Sequence, residues 1–309
     1  MKKAIDVLTL GDLCVDLILF GSDITPEFGQ KEKLIDDYSL EMGGSCSIFA
    51  CQAAKLGLHT ALIGSVGDDA FGELIRDTLV DAGVDGKYIK TDSSVKTGIS
   101  TALSKSDDRA ILTYNGTINA VMRSDISDEI IPLVRHLHIG SFYLMTQLQP
   151  DYPDIIKEFK RHGATVSLDT NWDPEEKWDG GIWDILPYID VFLPNENEAM
   201  AFAGENNVEA AIKKLSEQVP VLVVKTGKSG AVAFSGGEIY RAGSLPVAVV
   251  DTIGAGDSFD AGFIYGYLSG KTIEECLEIG CICGSLSTRK SGGEKGQPRL
   301  NEVENYLHR

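Results

Sequence analysis

Short apolar, β-branched runs alternate with helical stretches along most of the chain. Ile5–Leu10, Leu137–Gly140, Ala164–Leu168, Val191–Leu193 and Val221–Lys225 read as strands of a buried sheet. Ile48–Leu56, Asp154–His162 and Ile273–Arg289 read as helices, the first closed by Gly57. Ala231–Phe234 and Glu238–Tyr240 read as a hairpin turning at Gly236-Gly237. Such alternation predicts an α/β protein on a mostly parallel sheet. Four runs break the rhythm: Leu17–Phe20, Leu34–Leu40, Thr97–Leu103 and Ala110–Tyr114. They predict a small separate sheet, inserted at about 14–41 and 96–116. With no internal repeat, low-complexity stretch or linker, residues 1–309 read as one domain.

One stretch carries more chemistry than the rest. Pro246–Val250 reads as a buried strand, and Ser258–Leu268 as a helix closed by Gly270. Between them runs Asp251-Thr252-Ile253-Gly254-Ala255-Gly256-Asp257. A glycine-rich turn into a helix start is an anion site, because the first helical N–H groups lack partners and the helix dipole is positive there. Asp257 then stands beside any bound phosphate. A lone Asp in a first turn more often just stabilises the helix start. Beside a phosphoryl group it has a use if it takes a proton from an attacking hydroxyl while a metal offsets charge.

Bulk properties narrow the partners. The 309 residues carry a net charge of −18, with 43% hydrophobic and 24% charged residues. This is the make-up of a soluble globular protein and argues against a nucleic-acid or anionic-membrane surface. Six cysteines in a chain this long do not read as a disulfide framework, and Cys276, Cys281 and Cys283 fall in an apolar helical stretch without a nearby His. No apolar run reaches the roughly 18 residues of a membrane span, and acids interrupt any leader-like start, so a cytoplasmic location is expected.

The string Asp-Thr-x-Gly-Ala-Gly-Asp-x-Phe, followed by a small residue, Gly and Phe, resembles the second signature of the ribokinase-like (PfkB) carbohydrate kinases. Met42-Gly43-Gly44-Ser45 before a helix resembles the first signature, with Ile48 where that signature usually has Asn. Thr60–Gly67, Asp69 and Phe71-Gly72 continue the match. The resemblance implies a three-layer αβα sandwich with a β lid over a sugar, Asp257 as catalytic base, and an anion hole from the amides of Gly254, Ala255 and Gly256. It implies sugar contacts from Asp12, Asp16, Gly43, Gly44, Ser45 and Asn171. Asp12 and Asp16 end the first strand, where open parallel sheets bind ligands; each taken alone reads equally as a solvated loop acid.

For the nucleotide the resemblance implies Asn195, Glu198, Lys225, Thr226, Gly227, Gly230 and Cys283, with Glu198 ordering waters on Mg²⁺. Without the resemblance, Asn195 and Glu198 would read as a helix start. Gly227-Lys228-Ser229 is no P-loop, because its first glycine would fall at Leu222. Asp251, the carbonyl of Ile253 and Ser291 are candidates for the monovalent cation site, for K⁺, that several relatives have. Many relatives carry Arg where this chain has Asp173, which points to a neutral acceptor. Trp172 reads as core packing rather than a sugar platform. The expected activity is ATP-dependent phosphorylation of a hydroxyl on a neutral sugar or polyol, in a chain that forms a homodimer through the lid. A nucleoside kinase of the same fold and a catalytically silent sugar-binding regulator are the alternatives.

Overall fold

A computed structural model describes residues 3–105 and 108–307; Lys2 and, within the second inserted segment, Ser106 and Asp107 lie outside the described residues. The strands are β1 (Ile5–Leu10), β2 (Cys14–Phe20), β3 (Asp37–Gly43), β4 (Thr60–Gly67), β5 (Ile89–Asp92), β6 (Gly98–Lys105) and β7 (Asp108–Tyr114). They continue with β8 (Val134–Ile139), β9 (Thr165–Leu168), β10 (Val191–Phe192), β11 (Val221–Lys225), β12 (Ala231–Ser235) and β13 (Glu238–Ala242). The helices are α1 (Ser45–Lys55), α2 (Ala70–Ala82), α3 (Tyr152–Arg161), α4 (Ile182–Ile185) and α5 (Glu196–Ala203). After them come α6 (Val208–Leu215), α7 (Ala255–Leu268), α8 (Ile273–Ser287) and α9 (Leu300–Leu307).

The large sheet has the order β13-β12-β11-β10-β9-β8-β1-β4-β5. From β11 to β5 every pairing is parallel, and the β12–β13 hairpin adds an antiparallel edge. Alternate residues feed two cores. Leu222 and Val224 join one with helices α3, α5 and α6; Val221 and Val223 join the other with α1, α7 and α8. Helices thus cover both faces, which is why the strands are apolar throughout rather than alternating. The expected three-layer αβα architecture is what the chain adopts.

The expected small sheet is present, in the order β3-β2-β6-β7. Its register puts Asp16, Glu41, Ser100 and Thr113 in one row. Residues two apart share a face, so Asp16, Ser39, Ser100, Thr113 and Arg109 lie on one side. Leu17, Leu19, Tyr38, Leu40, Leu103, Leu112 and Tyr114 lie on the other.

Pro246–Val250 corrects the expectation of a buried strand. It is irregular, with Val249 and Val250 more than half exposed. The sheet ends at β13, and the run does not pair with it. Its end is tied instead to α8 by amides of Val250 and Asp251 donating to the Thr288 carbonyl.

A later segment straps α1 to α7. Gln297 Nε2 donates to the Ile48 carbonyl at 2.8 Å and to Ser258 Oγ at 3.1 Å. Gln52 Nε2 donates to the Pro298 carbonyl, and Lys55 Nζ to the Glu294 carbonyl, each at 2.9 Å.

Candidate active site

The carboxyl ends of the parallel strands, the starts of α1 and α7 and the polar face of the small sheet meet in one region. At α1 the chain enters through Gly44 in a positive-φ conformation (φ 91°). Asp12, just past β1, satisfies the helix start: its two oxygens accept from the amides of Ser45 (2.9 Å) and Cys46 (2.8 Å). Ser141 Oγ donates to the same carboxylate at 2.6 Å and accepts from Asn171 Nδ2 at 2.9 Å. Burial raises the Asp12 pKa despite these donors. Asp12, expected as a sugar contact, is therefore an internal anchor for Ser45 and Asn171. Ser45 Oγ in turn donates to Asp257 Oδ1.

At α7 the chain enters through Gly254, also at positive φ (70°), and no side chain caps the helix. A Cβ on Gly254 would lie 2.6 Å from the Gly293 Cα and 2.9 Å from the Ile48 side chain. Only glycine fits that turn. Ile48, standing where relatives usually have Asn, is packed under this loop. The Ala255 amide turns back to the Thr252 carbonyl at 3.3 Å. Asp257, in the first turn, is pushed up to about 7 by burial first and the Asp169 charge second, with Ser45 and Lys225 opposing.

Beneath Asp257 lies a group of charges that sequence reasoning missed. Lys225 Nζ sits 2.8 Å from Asp169 Oδ2 and 3.0 Å from Asp260 Oδ2. Asp169 follows β9 and Asp260 is one turn along α7 from Asp257. The string around Asp257 contained Asp260, but nothing local says that it faces inward. Lys225, expected to line the nucleotide, is corrected: its ammonium is committed to these two acids and its side chain is only 12% exposed.

Asn195 and Glu198 form a reciprocal cap at the start of α5, with Glu198 Oε2 accepting from the Asn195 amide at 2.9 Å. Glu198 is buried and pushed up to about 7, by burial and then by Asp169. Thr226, Gly227 and Gly230 form an exposed-to-buried turn after β11, closed by the Thr226 amide on the Gly230 carbonyl at 2.8 Å. Cys283 is also corrected. It is fully buried, with its sulfur against Gly262 between α7 and α8, and offers no surface to a nucleotide. All six cysteines are free and buried.

On the small sheet, Asp16 is nearly buried, with the Cys14 thiol 3.9 Å away as its hydrogen-bond partner among the described residues. A Cβ on Gly43 would collide with its carboxyl group, so glycine there makes room for Asp16. Burial, then Asp12, pushes Asp16 up to about 7, and Arg109 opposes. Ser100 and Thr113 share a 2.9 Å hydrogen bond on the same face, and Arg109 Nη1 is 3.5 Å from Thr252 Oγ1. None of these three stood out in the sequence.

Asp251 bridges two loops, accepting from the Ile253 and Gly292 amides at 3.0 and 2.9 Å. Ser291 Oγ nearby is buried without a hydrogen-bond partner among the described residues. Asp173 accepts from the amides of Glu175, Lys177 and Trp178, so it holds its own loop. Trp172, expected in the core, is 48% exposed and rests edge-on against Trp178.

An acid at the first turn of an uncapped helix, below the polar face of the small sheet, suits a phosphotransferase with an alcohol acceptor. The profile described as pfkB family carbohydrate kinase matches residues 4–300, and the chain belongs to that family. It is an ATP-dependent sugar kinase. It is 28% identical to the ATP-dependent 6-phosphofructokinase of Thermoanaerobacterium thermosaccharolyticum, covering 98% of this chain and 94% of that one. It is 27% identical to the 5-dehydro-2-deoxygluconokinase of Geobacillus thermodenitrificans, covering 99% and 94%. Among solved structures, a putative ribokinase II from E. coli in complex with ATP and Mg²⁺ superposes with a TM-score of 0.84. That structure is 26% identical and covers 98% of this chain and 99% of its own. Among the described residues no helix is long and apolar enough to cross a membrane.

Proposed function

We propose that this kinase phosphorylates a hydroxyl of a neutral sugar or polyol, with Asp257 as the general base. The observation that carries the reading is the pairing of Asp257 with an uncapped α7 start, opposite a lid face bearing Asp16, Ser100 and Thr113. Asp16 accepts from sugar hydroxyls, and its sparse hydrogen bonding leaves it free to do so. Asp257 removes the proton of the attacking hydroxyl as its oxygen bonds to phosphorus. The amides of Gly254 and Gly256 face the charge on the transferring group, while the Ala255 amide donates to the Thr252 carbonyl within the turn. Ser45 and Asn171, both fixed through Asp12 and Ser141, orient base and sugar.

Mg²⁺ supplies charge neutralisation on the phosphates when bound. Glu198 fits it: a buried carboxylate with a raised pKa and one oxygen committed to the Asn195 amide regains its charge beside a cation. For K⁺, the Ser291 hydroxyl beside Asp251 and Ile253, without a partner among the described residues, supports a monovalent site. Asn195, Thr226, Gly227 and Gly230, on the adjoining loops, are the nucleotide contacts of this reading. Neutral acceptors are favoured because Asp173, standing where many relatives carry Arg, supplies no cation and closes its own loop.

The outward lid face supports a homodimer. Tyr38, Leu112 and Tyr114 are each more than half exposed in one apolar patch. Free buried cysteines fit a reducing, cytoplasmic setting.

A thermal-shift screen with a non-hydrolysable ATP analogue tests the substrate class, since ligand stabilises as RT ln(1+[L]/Kd). Neutral sugars or polyols are expected to raise Tm and then to release ADP with ATP. Preference for sugar phosphates, sugar acids or nucleosides overturns the neutral-acceptor reading. Absence of turnover with every acceptor restores the silent binder. Leu112→Asp is expected to convert a dimer to monomer in sedimentation; a monomeric wild type refutes the lid dimer.

A further inference from the structure

Asp169, Asp257 and Asp260 each offer one oxygen within 4.8 Å of the others. Three carboxylates so close need a cation, and a metal ion is the usual one. Here the chain supplies it: Lys225 Nζ reaches Asp169 at 2.8 Å and both Asp260 oxygens at 3.0 and 3.2 Å. We propose that Lys225, clamped between Asp169 and Asp260, is a positioning residue whose fixed positive charge keeps Asp257 ionised and aimed at the acceptor hydroxyl. The proposal rests on the reading of Asp257 as base.

The ammonium is held on several sides. The Lys225 amide donates to the Pro194 carbonyl at 3.0 Å, and the side chain runs under the first turn of α7. A Cβ on Gly256 would lie 3.5 Å from its Nζ. Asp260 stands three residues beyond Asp257, so its contacts with Lys225 fix the helix turn that carries the base.

Charge counting gives the group its effect. Asp260 is fully buried and held well above the carboxylate range, first by burial, while Asp169 lies below that range because of Lys225. Lys225 offsets part of the Asp169 charge that raises Asp257. Without the ammonium, Asp257 faces a net negative charge at close range.

The other charged groups around the base do not replace it. Asp12 at the end of β1 adds negative charge. Arg109, the cation on the lid, acts on Asp16 and contacts Thr252. Ser45 from α1 is uncharged.

The test is the pH profile of kcat/KM for three variants, with circular dichroism and Tm as folding controls. Lys225→Met is expected to move the acid limb up by about one unit, roughly tenfold in activity below the limb, with KM for ATP changed less than about threefold. Lys225→Met with Asp169→Asn removes the Asp169 charge as well, so the limb is expected to return. Asp169→Asn with Asp260→Asn leaves the ammonium unbalanced, so the limb is expected to move down. This last pair decides the question if Lys225→Met does not fold.

Titration of Asp257 by carboxyl ¹³C NMR, assigned by its loss in Asp257→Asn, is expected to follow the same order. An unmoved limb in all three, or a raised KM for ATP with the limb unmoved, overturns the proposal. Normal turnover in Asp257→Asn overturns the base reading itself; a dead Asp257→Asn with unmoved limbs overturns only the role of Lys225.

Discussion

Helices α1 and α7 both begin after a glycine at positive φ, and neither is capped by its own preceding residue. At α1 the first amides are taken by Asp12, a carboxylate from within the chain. At α7 no side chain does this. The same electrostatic feature, a helix end rich in unpaired N–H groups, is structural where the chain provides the anion and available to a ligand where it does not. The comparison also separates two acids. Asp12 sits on donors and anchors Ser45; Asp257 sits beside the open end and is raised to about 7.

The largest expected break is chemical. Asp257→Asn should lower kcat by on the order of 10²–10⁴ with folding intact, the usual loss for a general base. ADP release measured at saturating substrates checks it, and near wild-type turnover removes Asp257 from the chemistry.

Asp12→Ala should act on stability instead. Three donors lose their acceptor, so unfolding in urea should show a loss of about 1–3 kcal/mol. If Asp12→Ala leaves stability unchanged but removes sugar binding, the contrast between the two helix starts is wrong.

Acidity sharpens the same contrast. A base near pKa 7 makes kcat/KM fall about tenfold per unit below that pH. The linkage for stability has the opposite direction. Asp257 binds its proton more tightly folded, at about 7, than at its ordinary 3.8. Its stabilisation is complete below the lower value and is lost as pH rises through the upper one. Asp16 behaves alike, from 3.8 to about 7. Unliganded protein should therefore lose stability between pH 4 and 8 through these groups. The smallest effect is that Asp257→Asn should flatten that loss and raise Tm at pH 8 by a few degrees, read by calorimetry. A steeper loss in the variant contradicts the assignment.

Local patterns carried the strand rhythm, the inserted sheet and the glycine turn into α7, because each depends on neighbours in sequence. Partnership across the fold was not legible. Pro246–Val250 has the composition of a strand, but the chain adds no strand beyond β13 there, and the run is irregular. Lys225 and Cys283 lie in segments that approach the site, yet their side chains point to Asp169 and Asp260 and to Gly262. Asp173 was legible as a missing Arg, not as the acceptor that closes its own loop. Ser141, which joins Asp12 to Asn171, has no signal in sequence beyond its position after a strand.

Gln297 fastens the first turns of both helices at once, through the Ile48 carbonyl and Ser258 Oγ. The spacing between the start of α1, whose Ser45 meets Asp257, and the start of α7, which carries Asp257, is thus held by a splint from a distant part of the polypeptide. A chain still being synthesised can complete its sheet and yet leave the two halves of the reaction centre unlocked. Competence should arrive last, after the residues around 297 have docked.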